Sequence, residues 1–184
     1  MSLVTMPTPP NPEPTPAPIA TTRDRRPALL LLSALIILLD RLSKTWVMHH
    51  VKASAPITII PKVFRLTHVL NTGAAFSLLA DLPANKVRIS LIAFSVVAAL
   101  IVFAMLWRVG RTLTLTSIAL ALIFGGALAN LYDRIRFHHV VDFLEVRIYH
   151  YHWPDFNVAD SAIVIGACLL LIEIFRPQPA SIDA

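Results

Sequence analysis

Long apolar stretches separated by shorter polar segments dominate the pattern of the chain. Three of them carry few charges or none: residues 89–107, 113–132 and 158–175. A helix needs roughly 20 mostly apolar residues to cross the hydrocarbon core of a bilayer, because each residue advances it by only about 1.5 Å. These stretches therefore predict three transmembrane helices, the last with acids only near its ends.

A fourth stretch, residues 28–48, begins with apolar residues and then meets Asp40, Arg41 and Lys44 before Trp46. The arginines that precede it resemble the start of a secretory signal, but no small-x-small cleavage site follows. We interpret it as an uncleaved first helix, with Trp46 in the aromatic belt at the far interface. The predicted fold is an all-α membrane protein with four transmembrane helices.

The polar segment between the first two helices predicts a small extramembrane β element. At residues 57–60 and 63–70, β-branched residues partly alternate with polar ones, which is typical of short strands.

Four helices place both termini on one side of the membrane and loops 49–88 and 133–157 on the other. Six of the 16 Lys and Arg residues lie on the termini side and ten on the other, so number alone does not orient the bundle. Because three arginines crowd just before the first helix, we expect cytoplasmic termini and a β element on the opposite side.

Composition supports the membrane interpretation, with 56% hydrophobic residues, 15% charged residues and a mean hydropathy of +0.68. The net charge of +5 does not indicate nucleic-acid binding, because the basic residues are scattered between apolar segments; contact with anionic lipid fits better.

Residues 1–27 hold eight of the 14 prolines and are expected to form a disordered tail. The predicted helical domain is 28–176, followed by a short C-terminal tail, 177–184. The single cysteine, Cys168, is expected to be a small core or lipid-facing residue.

Ionisable and amide side chains concentrate at one end of the predicted bundle. Placing such groups inside the bilayer is unfavourable in free energy, so by default they indicate a functional site. Because successive helices alternate in direction, the groups that end helices one and three meet those that begin helix four, at the non-cytoplasmic interface. The cluster comprises Asp40, Lys44, Asn130, Asp133, Arg134, Asn157 and Asp160.

On the third helix, Gly126, Asn130 and Arg134 are four residues apart and follow one face. The glycine, with Gly125 beside it, lets a neighbouring helix approach closely. Asn157 can act as the N-cap of the fourth helix.

Two carboxylates are candidates for acid–base chemistry. Asp142 lies among large apolar residues, a setting that raises the pKa of a carboxyl group. If packing brings it against Asp160, the pair shares one proton and offers an acid and a base near neutral pH, which can activate water on a peptide bond. The alternative is two structural carboxylates, with Asp160 favouring the positive end of the helix dipole.

Four segments, in order along the same four-helix frame, closely resemble the lipoprotein signal peptidases. The resemblance covers about residues 28–175. Ala129 stands where that family usually has glycine, and Arg41 where it commonly has glutamine. The segments are NTGAAFS (71–77), GGALANLYDR (125–134), VVDF (140–143) and FNVADSA (156–162).

The resemblance implies an aspartyl peptidase of the bacterial inner membrane with its active site at the periplasmic interface. It implies cleavage of a prolipoprotein signal peptide just before a cysteine that carries diacylglyceryl, inhibition by globomycin, contact with membrane lipid, and no metal or cofactor. The implied catalytic dyad is Asp142 and Asp160. The implied lining and supporting residues are Asn71, Asn130, Arg134, Asn157, Asp40, Lys44 and Gly126.

Other classes of function are possible on the residues alone. A membrane metal-binding or transport protein could use His138, His139, His150 and His152, which flank Asp142. Their spacing matches neither an i, i+4 helical pair nor HExxH, and no cysteine pair accompanies them. A serine peptidase is disfavoured because Gly-x-Ser-x-Gly does not occur.

Overall fold

The computed structural model describes residues 23–73, 83–149 and 151–176. Nearly all of the predicted N-terminal tail, the whole C-terminal tail, His150 and part of the first resembling segment lie outside these ranges. The described part is mostly helical with one small antiparallel sheet. Its elements are α1 Arg26–His50, β1 Ile57–Ile60, β2 Phe64–Asn71, α2 Ala84–Val109, α3 Leu115–Arg136, β3 Val140–Ile148, β4 Tyr151–His152 and α4 Val158–Ile174.

One helix lies on each of the four predicted apolar stretches. Among the described residues, two of them are long and apolar enough to cross a membrane by length and composition alone, Asn85–Val109 and Leu115–Arg136. Large apolar side chains point outward from the bundle, as at Leu31, Phe94 and Leu100. A soluble protein rarely exposes so much contiguous apolar surface, so these outer faces indicate a membrane protein.

Helix α3 is central and packs against each of the other three helices. It begins with a capping box, in which Thr114 and Ser117 satisfy each other's backbone N–H groups. The two glycines allow close approach on opposite sides. A Cβ on Gly125 would lie 2.8 Å from the Ser33 carbonyl oxygen of α1, and a Cβ on Gly126 would collide with the Ala159 carbonyl oxygen of α4. The predicted structural use of these glycines is confirmed.

The sheet has the order β1-β2-β3-β4 and is antiparallel throughout. The two predicted strands are confirmed as β1 and β2. The sheet is larger than predicted, because β3 and β4 lie in segment 133–157, where the sequence pattern predicted only a connecting loop. The first four residues of β3 are all buried, so they lack the alternation that marks a half-exposed strand.

The sheet covers the end of the bundle where α1 and α3 finish and α4 begins. Val47 of α1 and Val51, which caps the end of α1, form a buried cluster with Phe143 of β3. The pairing of β2 with β3 sets Asn71 opposite Val140, two residues from Asp142 on the same face of β3. The sheet therefore carries Asp142 and Asn71 to the polar end of the helices.

Candidate active site

Asp142 and Asp160 are joined through the side chain of Asn157. Asp142 lies in β3 and is only 3% exposed, while Asp160 lies in the first turn of α4. Nδ2 of Asn157 donates to Oδ1 of Asp142 at 2.7 Å, and its Oδ1 accepts from the backbone N–H of Asp160 at 3.0 Å. Asn157 is thus the N-cap of α4 and also a direct partner of Asp142, so the two functions expected of it are compatible.

Asn71 holds the other oxygen of Asp142. Its Nδ2 donates to Oδ2 of Asp142 at 2.9 Å, while its Oδ1 accepts from the backbone N–H of Gly73 at 2.8 Å. Gly73 has φ of +94°, which favours glycine, so the turn after β2 is suited to present its N–H to Asn71. Since both ends of the amide are occupied, the orientation of Asn71 is fixed.

Asn130 of α3 makes the corresponding contact with Asp160. Its Nδ2 donates to Oδ1 of Asp160 at 2.8 Å, and its Oδ1 lies 3.2 Å from Nζ of Lys44. One turn further along α3, Arg134 donates to the backbone oxygen of Asn130 at 3.3 Å. The Arg134 guanidinium is thereby held beside Asn130, the residue that binds Asp160.

Lys44 lies at the base of this arrangement and is fully buried. Its Nζ is 2.7 Å from Oδ2 of Asp40 and 2.7 Å from Oδ2 of Asp133. Oδ1 of Asp40 accepts the backbone N–H of Ala159, next to Asp160, at 3.0 Å. One ammonium therefore connects α1, α3 and α4 immediately behind the two candidate catalytic residues.

The structure adds Asp133 to the expected residues, since no function was predicted for it beyond membership of the polar cluster. It is buried, and it pairs with Arg41 at 3.2 Å as well as with Lys44. The sequence signal was its position directly before Arg134, but a solvated helix end has the same appearance. Arg41 belongs to this ion-pair network and makes no hydrogen bond to Asp142 or Asp160.

Burial raises the pKa of Asp142 to about 6. The hydrogen bond from Asn71 lowers this pKa, and the negative charge of Asp160 raises it further. A carboxyl group with such a pKa keeps its proton in mildly acidic solution and can exchange it near neutral pH. The pair can therefore supply a proton donor beside a proton acceptor.

An open groove of ≈ 440 Å³ reaches Asp160 from the outer side of α4. Its walls are almost entirely apolar. A hydrophobic ligand could approach the carboxyl group of Asp160 along this groove. It is lined by Val146, Trp153, Phe156, Asp160, Ser161, Val164 and Ile165.

The histidines of the metal hypothesis do not assemble around Asp142 within the described residues. His138 is exposed, and His152 instead contacts Glu145. His152, Glu145 and Asp155 do lie close together, with ligand atoms within 4.8 Å of one another. The Glu145 carboxylate, however, also accepts hydrogen bonds from Arg65 and Arg147. A metal ion would have to displace those guanidinium groups, so this cluster fits an ion-pair network better than a metal site.

Sequence comparisons with known proteins agree on one family. The family model described as Signal peptidase (SPase) II matches residues 32–176. A lipoprotein signal peptidase of Pseudomonas fluorescens (strain Pf0-1) is 44% identical over 163 residues, which are 88% of this chain and 95% of the relative. One from Syntrophotalea carbinolica is 40% identical over 149 residues, 80% of this chain and 91% of the relative. A solved bacterial membrane enzyme shares the fold with a TM-score of 0.75 at 23% identity, covering 86% of this chain and 99% of that one.

Proposed function

The chain belongs to the signal peptidase II family, and from this premise we propose that it is an aspartyl endopeptidase that removes the signal peptide from diacylglyceryl-modified prolipoproteins, cutting just before the lipidated cysteine. The observation that carries the proposal is the Asn157 amide, which binds Asp142 and caps the helix turn that holds Asp160. It links the buried carboxyl group of Asp142 to the first turn of α4, where Asp160 borders the apolar groove.

In the proposed reaction one aspartate acts as the proton donor and the other as the proton acceptor, according to their surroundings. Asp142, the more deeply buried of the two, begins as the proton donor, and Asp160, which borders the groove, begins as the proton acceptor. Asp160 takes a proton from a water molecule while the water oxygen bonds to the scissile carbonyl carbon, and Asp142 donates its proton to the carbonyl oxygen. When the tetrahedral intermediate collapses, the carbon–nitrogen bond breaks. The departing amine then takes the proton from Asp160, and Asp142 recovers a proton from the hydroxyl group.

In the proposal, the neighbouring polar side chains hold the two carboxyl groups in place for these roles. Asn71 and Asn157 hold the Asp142 carboxyl, and Asn130 holds that of Asp160. Arg134 supplies a positive charge that orients a backbone carbonyl of the substrate. Behind them, Lys44 and its carboxylate partners keep the ends of three helices together.

We place the active site at the periplasmic interface of the bacterial inner membrane, with residues 28–176 as the peptidase domain and all four helices spanning. The apolar outer faces of the helices support the spanning arrangement, and Arg23 and Arg25 before α1 support cytoplasmic termini. At the interface, water reaches the dyad and the lipid anchor of the substrate remains in the bilayer. Membrane lipid and globomycin-type inhibitors are further proposed partners, and the apolar groove beside Asp160 suits such ligands.

The direct test is cleavage of a synthetic peptide by the purified protein in detergent. Two peptides of identical sequence are compared, one with a diacylglyceryl group on the cysteine and one without. We expect the lipidated peptide to be cut on the amino side of that cysteine, as shown by product masses, and the unmodified peptide to remain intact. Asp155→Asn is a matched control, because Asp155 is a partly buried acid outside the dyad and should be dispensable. Cutting at another bond, or equal cutting of both peptides, would refute the proposed specificity.

A further inference from the structure

Two turns meet at the end of the sheet farthest from Asp142. Lys62 lies in the turn between β1 and β2 and has φ of +65°, and Tyr149 follows β3 with φ of +55°. The backbone N–H of Arg147 donates to the carbonyl oxygen of Val63 at 2.8 Å, which holds the two turns side by side. In the pairing of β2 with β3, the junction lies next to the Phe64–Val146 pair, whereas Asp142 pairs with Val69 towards the other end.

The junction forms an open concavity of ≈ 380 Å³ lined by Lys62, Val63, Arg147, Ile148 and Tyr149. Lys62 is exposed, and the Arg147 side chain is 43% exposed. Tyr149 is 98% exposed and Ile148 also projects outward. Two cations thus lie beside an aromatic and an aliphatic side chain that are both exposed.

Glu145 prepares Arg147 to bind an anion. The buried Glu145 carboxylate accepts from Nε of Arg147 at 2.8 Å and also from Arg65, whose hydrogen bond is the main reason that the pKa of Glu145 is lowered to about 2. Because Nε is the anchored atom, the two terminal amino groups of Arg147 remain outside this ion pair. The guanidinium is held in one orientation, which reduces the entropy lost when it binds a planar or tetrahedral anion.

The sheet also lies beside the outer surface of the helix bundle. Val146 and Trp153 of the sheet region share one groove with Val164 and Ile165, which lie more than a turn into α4. Both α4 residues are exposed and face lipid if α4 spans the membrane, as proposed above. The sheet therefore overhangs the bilayer next to α4, which brings the turn junction to the headgroup layer.

From this geometry we infer that the turn junction, meaning Lys62, Arg147, Ile148 and Tyr149, is a binding site for the phosphate of an anionic phospholipid headgroup. The two cations bind the phosphate, and Ile148 and Tyr149 insert at the level where aromatic side chains of membrane proteins concentrate. Each basic residue near an anionic membrane surface contributes about 1 kcal/mol, so the pair gives a measurable preference over zwitterionic lipid. The inference rests on the proposed membrane orientation but not on the proposed reaction.

The test is lipid binding by the full chain in detergent, followed by native mass spectrometry. Phosphatidylglycerol and phosphatidylcholine with identical acyl chains compete at equal concentration. We expect wild type to prefer phosphatidylglycerol, and Lys62→Asn to reduce that preference about fivefold, since it removes one charge. Asparagine tolerates the positive φ of this position, so the variant keeps the turn. Lys62→Arg should retain the preference.

Lys52→Asn is the matched control, because Lys52 is an exposed lysine of the same extramembrane region outside the junction. An equal loss in this control would mean that diffuse charge, not the junction, selects the lipid, and would overturn the inference. An unchanged preference in Lys62→Asn would also overturn it. Displacement of the lipid by millimolar inorganic phosphate would assign the site to free phosphate and not to a membrane. Cleavage of the lipidated peptide in detergent should be unaffected by Lys62→Asn, so this test and the test of catalysis fail independently.

Discussion

Nζ of Lys44 lies 3.2 Å from Oδ1 of Asn130, and this contact decides which end of the Asn130 amide faces Asp160. An ammonium group can only donate hydrogen bonds, so the amide oxygen must face Lys44. The amide nitrogen is then directed at Oδ1 of Asp160, 2.8 Å away. Lys44 therefore acts on Asp160 through Asn130, as a positioning residue.

Replacing Lys44 by Met should destabilise the protein strongly. The change leaves Asp40 and Asp133 as buried carboxylates without their common cation, which typically costs about 3–5 kcal/mol. Thermal unfolding in detergent measures the loss. Arg41→Gln is the control: its side chain is 31% exposed, and removing such a partly solvated partner should cost about 1 kcal/mol or less. Equal stability losses in the two variants would contradict a central function for Lys44.

Asp142→Asn and Asp160→Asn should each abolish cleavage while the protein still folds. Amides keep the shape of the carboxyl groups but cannot exchange a proton, and general acid–base catalysis contributes about 10²–10⁴-fold. The double variant should be scarcely slower than either single one, because the two groups act as a unit. If either single variant keeps more than roughly a tenth of wild-type turnover, a loss under about 1.4 kcal/mol, that residue is not a catalytic acid or base.

The stability of Asp142→Asn tests a balance between two effects. At pH 7 the raised pKa means that ionised Asp142 lowers the free energy of unfolding, and neutralising it recovers up to about 3 kcal/mol. The new amide N–H₂, however, must face the N–H₂ of Asn71 or Asn157, which costs about 1–3 kcal/mol. We therefore expect a melting temperature close to that of wild type or slightly higher. A large decrease would identify Asp142 as a structural carboxylate.

The pH profile of kcat/KM should fall as pH rises above about 6. Asp142 donates its proton in the proposed mechanism, so the active form is present below its pKa and is lost above it. In Asn71→Ala, the hydrogen bond that lowers this pKa is gone, so the falling limb should move to higher pH even if turnover drops. Asp155→Asn should leave the limb in place. If the falling limb does not move in Asn71→Ala, the group that titrates in this limb is not Asp142.

Gly126→Ala should impair catalysis more than Gly125→Ala, although both add one methyl group to α3. The Cβ at 126 collides with the Ala159 carbonyl oxygen and shifts the start of α4, which carries Asp160. The Cβ at 125 meets α1 at Ser33 instead. Each should cost about 1–3 kcal/mol in unfolding free energy. Turnover measured well below the melting temperature distinguishes them, and equal turnover would show that α4 can adjust.

Chelation by EDTA should leave activity unchanged, because two carboxyl groups are sufficient to activate water. The described His, Glu and Asp cluster nearest to metal-site geometry contains Glu145, which is already paired with two arginines. Assays on lipidated peptide with and without chelator provide the measurement. Activity that is lost with EDTA and restored by zinc would replace this mechanism with a metal-dependent one.

Much of the fold could be predicted from local pattern alone. Four apolar stretches predicted the positions of four helices, because long apolar runs are visible in sequence, although the first run is interrupted by Asp40, Arg41 and Lys44. Strands β1 and β2 were likewise visible as alternating β-branched residues. The resembling segments also pointed to Asp142 and Asp160.

Only the tertiary structure decided how those residues are connected. Strand β3 escaped prediction because its first residues are buried on both faces, so it shows no alternation, and its partner β2 lies about 70 residues away in sequence. In the sequence, Asp133 has the appearance of a solvated helix end. In the structure, α1 packs against it and places Lys44 beside its carboxylate. The bonds through Asn157 and Asn130 depend on side chains from three helices and a sheet meeting at one point. Sequence determines which groups are available, whereas long-range packing determines which donor faces which acceptor.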